Sequence, residues 1–222
     1  LDIAQSPIAE KAMKFFSREM KYENYQPIMW GHKKIQKSNN QKDFTILSAG
    51  TFKQLCCRPR IYESSNEFIF GLINLINCID KIKNCKLIIS VRNNHECELS
   101  SLKSLLPKSN CYEIKTDFYQ ELKKADLLVS YSSTTIEEAL NLKIPVALFG
   151  GTNKYRHIHS SDIHTKMKRQ PIYYLDNKNI SKLLPTIIKK FRGNPLKDRE
   201  LRGLVWQDSV PGLKTLLAKI IS

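Results

Sequence analysis

The sequence predicts an α/β protein built on a Rossmann-like, doubly wound parallel sheet of about six strands, with helices on both faces. Two observations predict it. Between residues 44 and 192, short β-rich runs alternate with helix-length segments, the pattern of successive βαβ units. The runs themselves are almost continuously apolar, as strands are when a sheet is covered on both sides.

Residues 45–49 (TILSA) form the first predicted strand, closed by Gly50. Residues 64–83 follow as a helix. Phe68, Leu72, Leu75, Ile76 and Ile79 recur at helical spacing, and Ser64 with Glu67 spells a capping box. The second strand is 86–91 (KLIISV). A short helix at 99–106 is stopped by Pro107, and a short strand at 111–114 leads to a helix at 117–124. Residues 126–131 (DLLVSY) are the fourth strand, 135–141 the helix after it, and 144–149 (IPVALF) the fifth strand, closed by Gly150 and Gly151. A strand at 172–175 and a helix at 180–191 complete the series, and 213–221 adds a C-terminal helix. In the doubly wound order the first and fourth strands are neighbours. The loops after Ala49 and after Tyr131 therefore flank a ligand crevice.

Residues 1–43 fall outside this alternation. Residues 8–20 read as helical, and 22–43 are polar, with Pro27, Gly31, Ser38, Asn39 and Asn40. The stretch is expected to be a linker, or the tail of a missing N-terminal domain. The opening on Leu1 instead of Met points the same way, to a larger parent protein. Three parts follow: 1–43, a Rossmann-like domain over 44–192, and a helical extension over 193–222.

The net charge of +15 calls for an anionic partner: nucleotide phosphates, nucleic acid or an anionic membrane surface. The lysines are spread along the chain, and Lys- and Asn-rich composition alone accounts for part of the excess. No zinc finger, RNA-recognition signature or basic stripe with interleaved aromatics is present, so nucleic acid is not an expected partner. The six cysteines include no C-x-x-C pair. Zinc and redox motifs are therefore unsupported, and small buried thiols in a reducing cytosol fit the pattern. No apolar run approaches the roughly 18–20 residues of a membrane span. Asp2, Glu10, Lys11, Lys14, Arg18 and Glu19 interrupt the first 20 residues, unlike a secretory signal. A cytoplasmic protein is expected.

Three segments carry candidate chemistry, all at the carboxyl edge of the predicted sheet. The first is 131–140, YSSTTIEEAL, at a strand-to-helix junction. Ser132, Ser133, Thr134 and Thr135 offer hydroxyls and backbone N–H groups suited to phosphate. Thr134 and Glu137 also spell a capping box, T-x-x-E, which by itself explains those two residues. The second is 50–60, GTFKQLCCRPR. Gly50 permits a tight turn beside a ligand, Thr51 follows, and Lys53, Arg58 and Arg60 supply positive charge. Arg58 is the preferred phosphate contact because a guanidinium fork matches phosphate oxygens, with Arg92 in reserve. The third is 150–162, GGTNKYRHIHSSD, where Thr152, Asn153, Arg156 and His157 suit a polar substrate. His157, His159, Asp162 and His164 raise the question of a metal, but loop histidines more often face solvent or substrate, and no metal is expected. Trp206, Tyr173 and Tyr174 are expected in the core.

The run SSTTIEEAL, then NLK, then IPVALFGG, resembles the C-terminal domain of GT-B-fold glycosyltransferases of the bacterial surface-polysaccharide type. The likeness extends over about 44–192 and includes the SAGTF turn and the ADLLVS strand. It implies sugar transfer from a nucleotide-sugar donor to an acceptor hydroxyl, with no tightly bound cofactor and no metal. It implies a glycan or lipid-linked acceptor, an N-terminal GT-B domain that supplies the base, and a cytoplasmic place, the inner face of the membrane included. Glu138, just before Ala139 and seven residues ahead of Pro145, matches the glutamate that holds the ribose hydroxyls, and a carboxylate suits a vicinal diol because it accepts two hydrogen bonds. Glu137 is then the helix cap. The resemblance assigns Gly50, Thr51, Lys53, Arg58 and 132–135 to the nucleotide, and Asn153, Arg156 and His157 to the donor sugar. Lys143–Ile144 stands where the family carries a Gly before the Pro. Ser130 stands where retaining members carry a second glutamate, so stereochemistry is not assigned, nor is any catalytic residue. UDP, GDP and CMP donors stay open. A nucleotide-sugar 2-epimerase and a non-catalytic donor-binding subunit are the alternative readings.

Overall fold

The computed structural model describes residues 2–4, 6–16, 22–35, 43–50, 65–91, 99–130, 133–150, 168–208, 210–212, 214, 215 and 218. The elements are β1 Asp2–Ala4, α1 Pro7–Phe16, β2 Tyr22–Asn24, β3 Phe44–Ala49, α2 Ser65–Ile79, β4 Cys85–Ser90, α3 Leu99–Leu105, β5 Tyr112–Lys115, α4 Phe118–Lys124, β6 Leu127–Ser130, α5 Thr135–Asn141, β7 Val146–Phe149, β8 Ile172–Leu175, α6 Ile180–Phe191 and α7 Asp198–Leu201.

Strands β3 to β8 form one six-stranded parallel sheet in the order β5-β4-β3-β6-β7-β8. This is the doubly wound order that the alternation predicts. The apolar runs explain why the strands sit inside: Leu127, Leu128, Val129, Val146 and Ala147 are fully buried. The chain travels one way from β3 to β5 and the other way from β6 to β8. Right-handed crossovers then put α2 and α3 on one face and α4 and α5 on the other. Helix α6 packs beside α2, and the Cys78 thiol donates to the Ile180 carbonyl at 3.8 Å.

Polar residues fix the ends of these elements. The Asp117 carboxylate caps α4 by accepting the Gln120 N–H at 3.1 Å. The guanidinium of Arg169 gathers three carbonyls beyond and within the end of α6, those of Lys190, Asn194 and Pro195. It also pairs with Glu200 at 2.9 Å and lies over the Phe191 ring. Burial pushes the Glu200 carboxyl up, but the Lys197 N–H and Arg169 outweigh it and hold the group below its usual range. The turn that leaves α5 passes through Lys143, just beyond the C-cap Leu142, and its φ of 60° is left-handed. This is the place where the resembled family has its glycine, the residue for which that conformation is unstrained.

The cysteines Cys78, Cys85 and Cys111 are free and half-buried. Burial raises all three thiols, Cys85 to about 12. They are packing residues, as expected. Tyr173 is buried, and Tyr174 packs against the core. Most of the predicted C-terminal helix, 213–221, lies outside the described residues.

The N-terminal part is more structured than a linker. Strands β1 and β2 pair in parallel, Asp2 with Tyr22 through Ala4 with Asn24, and α1 joins them as a small βαβ unit. Ser6 and Pro7 set the start of α1: the Ser6 hydroxyl accepts the Ala9 N–H at 3.0 Å, and proline suits the first helical position. Residues 22–35 then run along the α4–α5 face. Lys34 pairs with Asp126 at 2.6 Å, and the Ile35 N–H donates to the Lys123 carbonyl at 2.9 Å. Asp126 also accepts the Thr45 N–H at 2.9 Å, so one carboxylate ties this strap to the start of β3.

Candidate functional site

The switch point falls between β3 and β6. Ala49 pairs with Ser130, so Gly50 and the turn after β6 leave the sheet side by side. Ser90 lies on the other side of Ala49. The three strands that meet here thus end in Ala49, Ser90 and Ser130, all small and buried. Small side chains at the carboxyl edge leave room above the sheet, where ligands bind in open α/β folds. The sequence carried this signal in LSAG, IISV and LVSY, where each strand closes on a small residue.

Of the predicted site residues, Gly50, Ser133, Thr134, Thr135 and Glu138 are described. Thr51, Lys53, Arg58, Ser132, Asn153, Arg156 and His157 lie outside the described residues, as do Arg60, Arg92, Thr152, His159, Asp162 and His164. The β6–α5 turn is built from hydroxyls. Ser130 Oγ lies 3.2 Å from Thr135 Oγ1, tying the strand end to the first residue of α5. Ser133 Oγ accepts the Thr135 N–H at 3.3 Å, and the Ser133 carbonyl accepts the Ile136 N–H. Among the described residues, no group of three His, Cys, Asp or Glu gathers as a metal would require.

One expectation about α5 needs correction. The capping box does not form. Thr134 sits at φ −61° and ψ −11°, already helical, and its side chain makes no capping bond. A cap needs a non-helical backbone to aim its oxygen at the third N–H. Glu137 turns instead into the protein, where it is fully buried and receives the Ser6 hydroxyl at 3.5 Å. Glu137 is thus not the cap expected of it, and Glu138 is met by backbone groups of the N-terminal part. Both face the N-terminal part, one toward the start of α1 and the other toward the strap, because that part wraps the first turn of α5.

Glu138 is 3% exposed. Its Oε1 accepts the Ile28 N–H at 3.0 Å and its Oε2 the Met29 N–H at 2.7 Å. Burial pushes its pKa up. The Met29 and Ile28 N–H groups pull it down, and the neighbouring Glu137 charge pushes it further up. Tyr25 is raised as well, by burial first and then by the charges of Glu138 and Glu137. Sequence reasoning missed the strap because its contacts to Glu138 are backbone amides about 110 residues away, which no side-chain motif announces.

No family model matches the sequence, and no curated protein matches it. Solved structures match in fold. Sucrose-phosphate synthase from Thermosynechococcus elongatus is 10% identical with a TM-score of 0.53, over 98% of this chain and 56% of that one. The Anabaena protein HepE, solved in complex with UDP and glucose, is 11% identical with a TM-score of 0.51, over 99% of this chain and 61% of that one. Accessory secretory protein 1, 2 and 3 of Streptococcus pneumoniae matches at 11% identity and a TM-score of 0.50, over 99% and 42%. The chain spans about half the length of the solved structures it matches, from 42% to 61%. At these identities the likeness is one of fold, and the fold is the Rossmann-like half expected from the GT-B resemblance.

Proposed function

We propose that this chain is the nucleotide-sugar-binding half of a GT-B-type glycosyltransferase, which moves a sugar from a nucleotide donor to an acceptor hydroxyl in surface-glycan synthesis. One observation carries the reading. The sheet reverses at β3 and β6, and Gly50 and the hydroxyl-rich turn 133–135 emerge there above Ala49, Ser90 and Ser130. The UDP bound by HepE, a protein of the same fold, favours a nucleotide in this role.

In this reading the diphosphate lies across the loops after β3 and β6. Arg58 and Lys53 neutralise it, while Ser132, Ser133, Thr134 and Thr135 supply donors. Fixed positive charge and preorganised donors stabilise the departing nucleotide phosphate without a metal ion. Asn153, Arg156 and His157 meet the donor sugar. Glu138 meets the ribose once the strap has left it. The β1–α1–β2 unit suits an interdomain position, because a two-stranded parallel sheet is too small to stand alone and invites continuation by further strands. The acceptor, glycan or lipid-linked, then belongs to a domain on that side, and so does the base. The net charge of +15 would favour a cytoplasmic membrane surface as the workplace.

Radiolabelled UDP-, GDP- and CMP-sugars, given to the full-length protein with lipid-linked and glycan acceptors, test the proposal. Net transfer from one donor class supports it. Interconversion of donor epimers without an acceptor would instead establish the epimerase reading, and binding without turnover the donor-binding subunit.

A further inference from the structure

Glu138 is already occupied, and by groups that resemble its expected ligand in chemistry. Consecutive backbone N–H groups, those of Ile28 and Met29, each donate to a different oxygen of the one carboxylate. A vicinal diol presents the same pattern: two adjacent donors, one for each oxygen. Both occupants cannot use a side chain that is 3% exposed. Glu138 lies about one helical turn past Thr135, whose hydroxyl meets Ser130 at the end of β6, the strand beside the switch point.

We propose that Ile28 and Met29 are a built-in occupant of Glu138, and that the ribose diol of the donor nucleotide displaces them and so releases the strap. The inference rests on the nucleotide-binding reading above. The strap is anchored at its far end by Lys34 on Asp126 and by the Ile35 N–H on the Lys123 carbonyl, which do not involve Glu138. Release at residues 28–29 therefore swings the segment without detaching it. Gly31, at a φ of 74° that glycine adopts without strain, gives the backbone a place to turn. What opposes release is the Met29 side chain, which is 2% exposed, whereas that of Ile28 is 62% exposed. Because strap and diol compete for one carboxylate, any change that loosens the strap must tighten the nucleotide by the same free energy.

The competition is tested with UDP, GDP and CMP, each beside its 2′,3′-dideoxy analogue, on the full-length protein. The expected result is that the nucleotide which binds speeds hydrogen exchange at the Ile28 and Met29 amides by about ten- to a hundredfold, the effect of losing bonds to a charged acceptor, while its dideoxy analogue does not. Met29→Ala is expected to raise the affinity for the ribonucleotide several-fold and to leave the dideoxy analogue unchanged. A merely structural contact would give the opposite sign or none. Binding of a ribonucleotide with the Ile28 and Met29 amides still protected overturns the exchange and leaves the nucleotide-binding reading intact. Failure of every nucleotide to bind overturns both. The exchange measurement on the unmodified protein decides even where Met29→Ala does not fold.

Discussion

The sheet and the strap are held by different physics. Among the described residues between β3 and α6, apolar burial does the holding: Leu47, Leu87, Leu128, Ile136 and Val146 are all fully buried, and each comes from a run that could be read locally. The described residues of 6–35 add only Ile8 and Met29 to that same core, and a set of single polar contacts supplies the rest of their attachment. These are Ser6 on Glu137, Ile28 and Met29 on Glu138, Lys34 on Asp126, and Ile35 on the Lys123 carbonyl. The Gln26 N–H adds a bond to the Pro211 carbonyl. Burial is non-directional and costly to undo, whereas a bond to a carboxylate has an alternative partner in any comparable donor. The molecule thus combines a platform held by burial with a segment whose attachment can be exchanged.

The largest expected effect breaks the platform. Leu128→Ala, in the strand beside the switch point, should cost about 3 kcal/mol in urea unfolding, the usual cost of a buried leucine cavity. The strap should unfold with it. A cost below about 1 kcal/mol would mean that the sheet is not the stabilising core.

Glu138→Gln breaks the strap alone. It should cost about 1–2 kcal/mol, because an amide nitrogen then faces one of the two N–H donors. Amide exchange should accelerate at residues 28–29 and stay unchanged in β3 and β6. The pH dependence has a defined sign. Glu138 is raised above 4.5 in the folded protein, so the folded state takes up the proton first. As pH falls from that raised value toward 4.5, the native protein gains stability from this group, and the glutamine variant does not. The difference in Tm between the two should therefore widen toward acid. The lowered Glu113, held by Lys86 and Lys115, acts in the reverse direction but is common to both proteins and cancels.

The smallest effect sharpens the platform side. Lys143→Gly should raise stability by about 1 kcal/mol, since lysine is strained at a φ of 60° and glycine is not. Its ion pair with Asp198 is exposed and should be lost at little cost. A drop in Tm would show that the pair matters more than the backbone.

How much of this was legible in the sequence follows the same divide. TILSA, DLLVSY and IPVALF announced β3, β6 and β7, and the strand order is the doubly wound one they predict. Glu137 and Glu138 were legible as an unusual pair, but their contacts in the N-terminal part were not. A T-x-x-E motif describes what a helix start can do with itself, and here the first turn is claimed by residues about 110 to 130 positions upstream. Arg169 gave no local sign either, because three of its partners are carbonyls that only the folded end of α6 brings together. A helix over 8–20 was legible in the first residues, and α1 runs from Pro7 to Phe16 with the Ser6 hydroxyl at its start.

In the proposed function a nucleotide sits at the switch point between β3 and β6. Titration of the isotope-labelled protein with UDP, GDP and CMP, followed residue by residue in amide spectra, tests it most directly. We predict that at least one nucleotide shifts Gly50 together with Ser133, Thr134 and Thr135, and leaves the far edge strand β8 undisturbed. Shifts confined to residues 2–24 or to the C-terminal extension, with Gly50 and the β6–α5 turn unmoved, would contradict it.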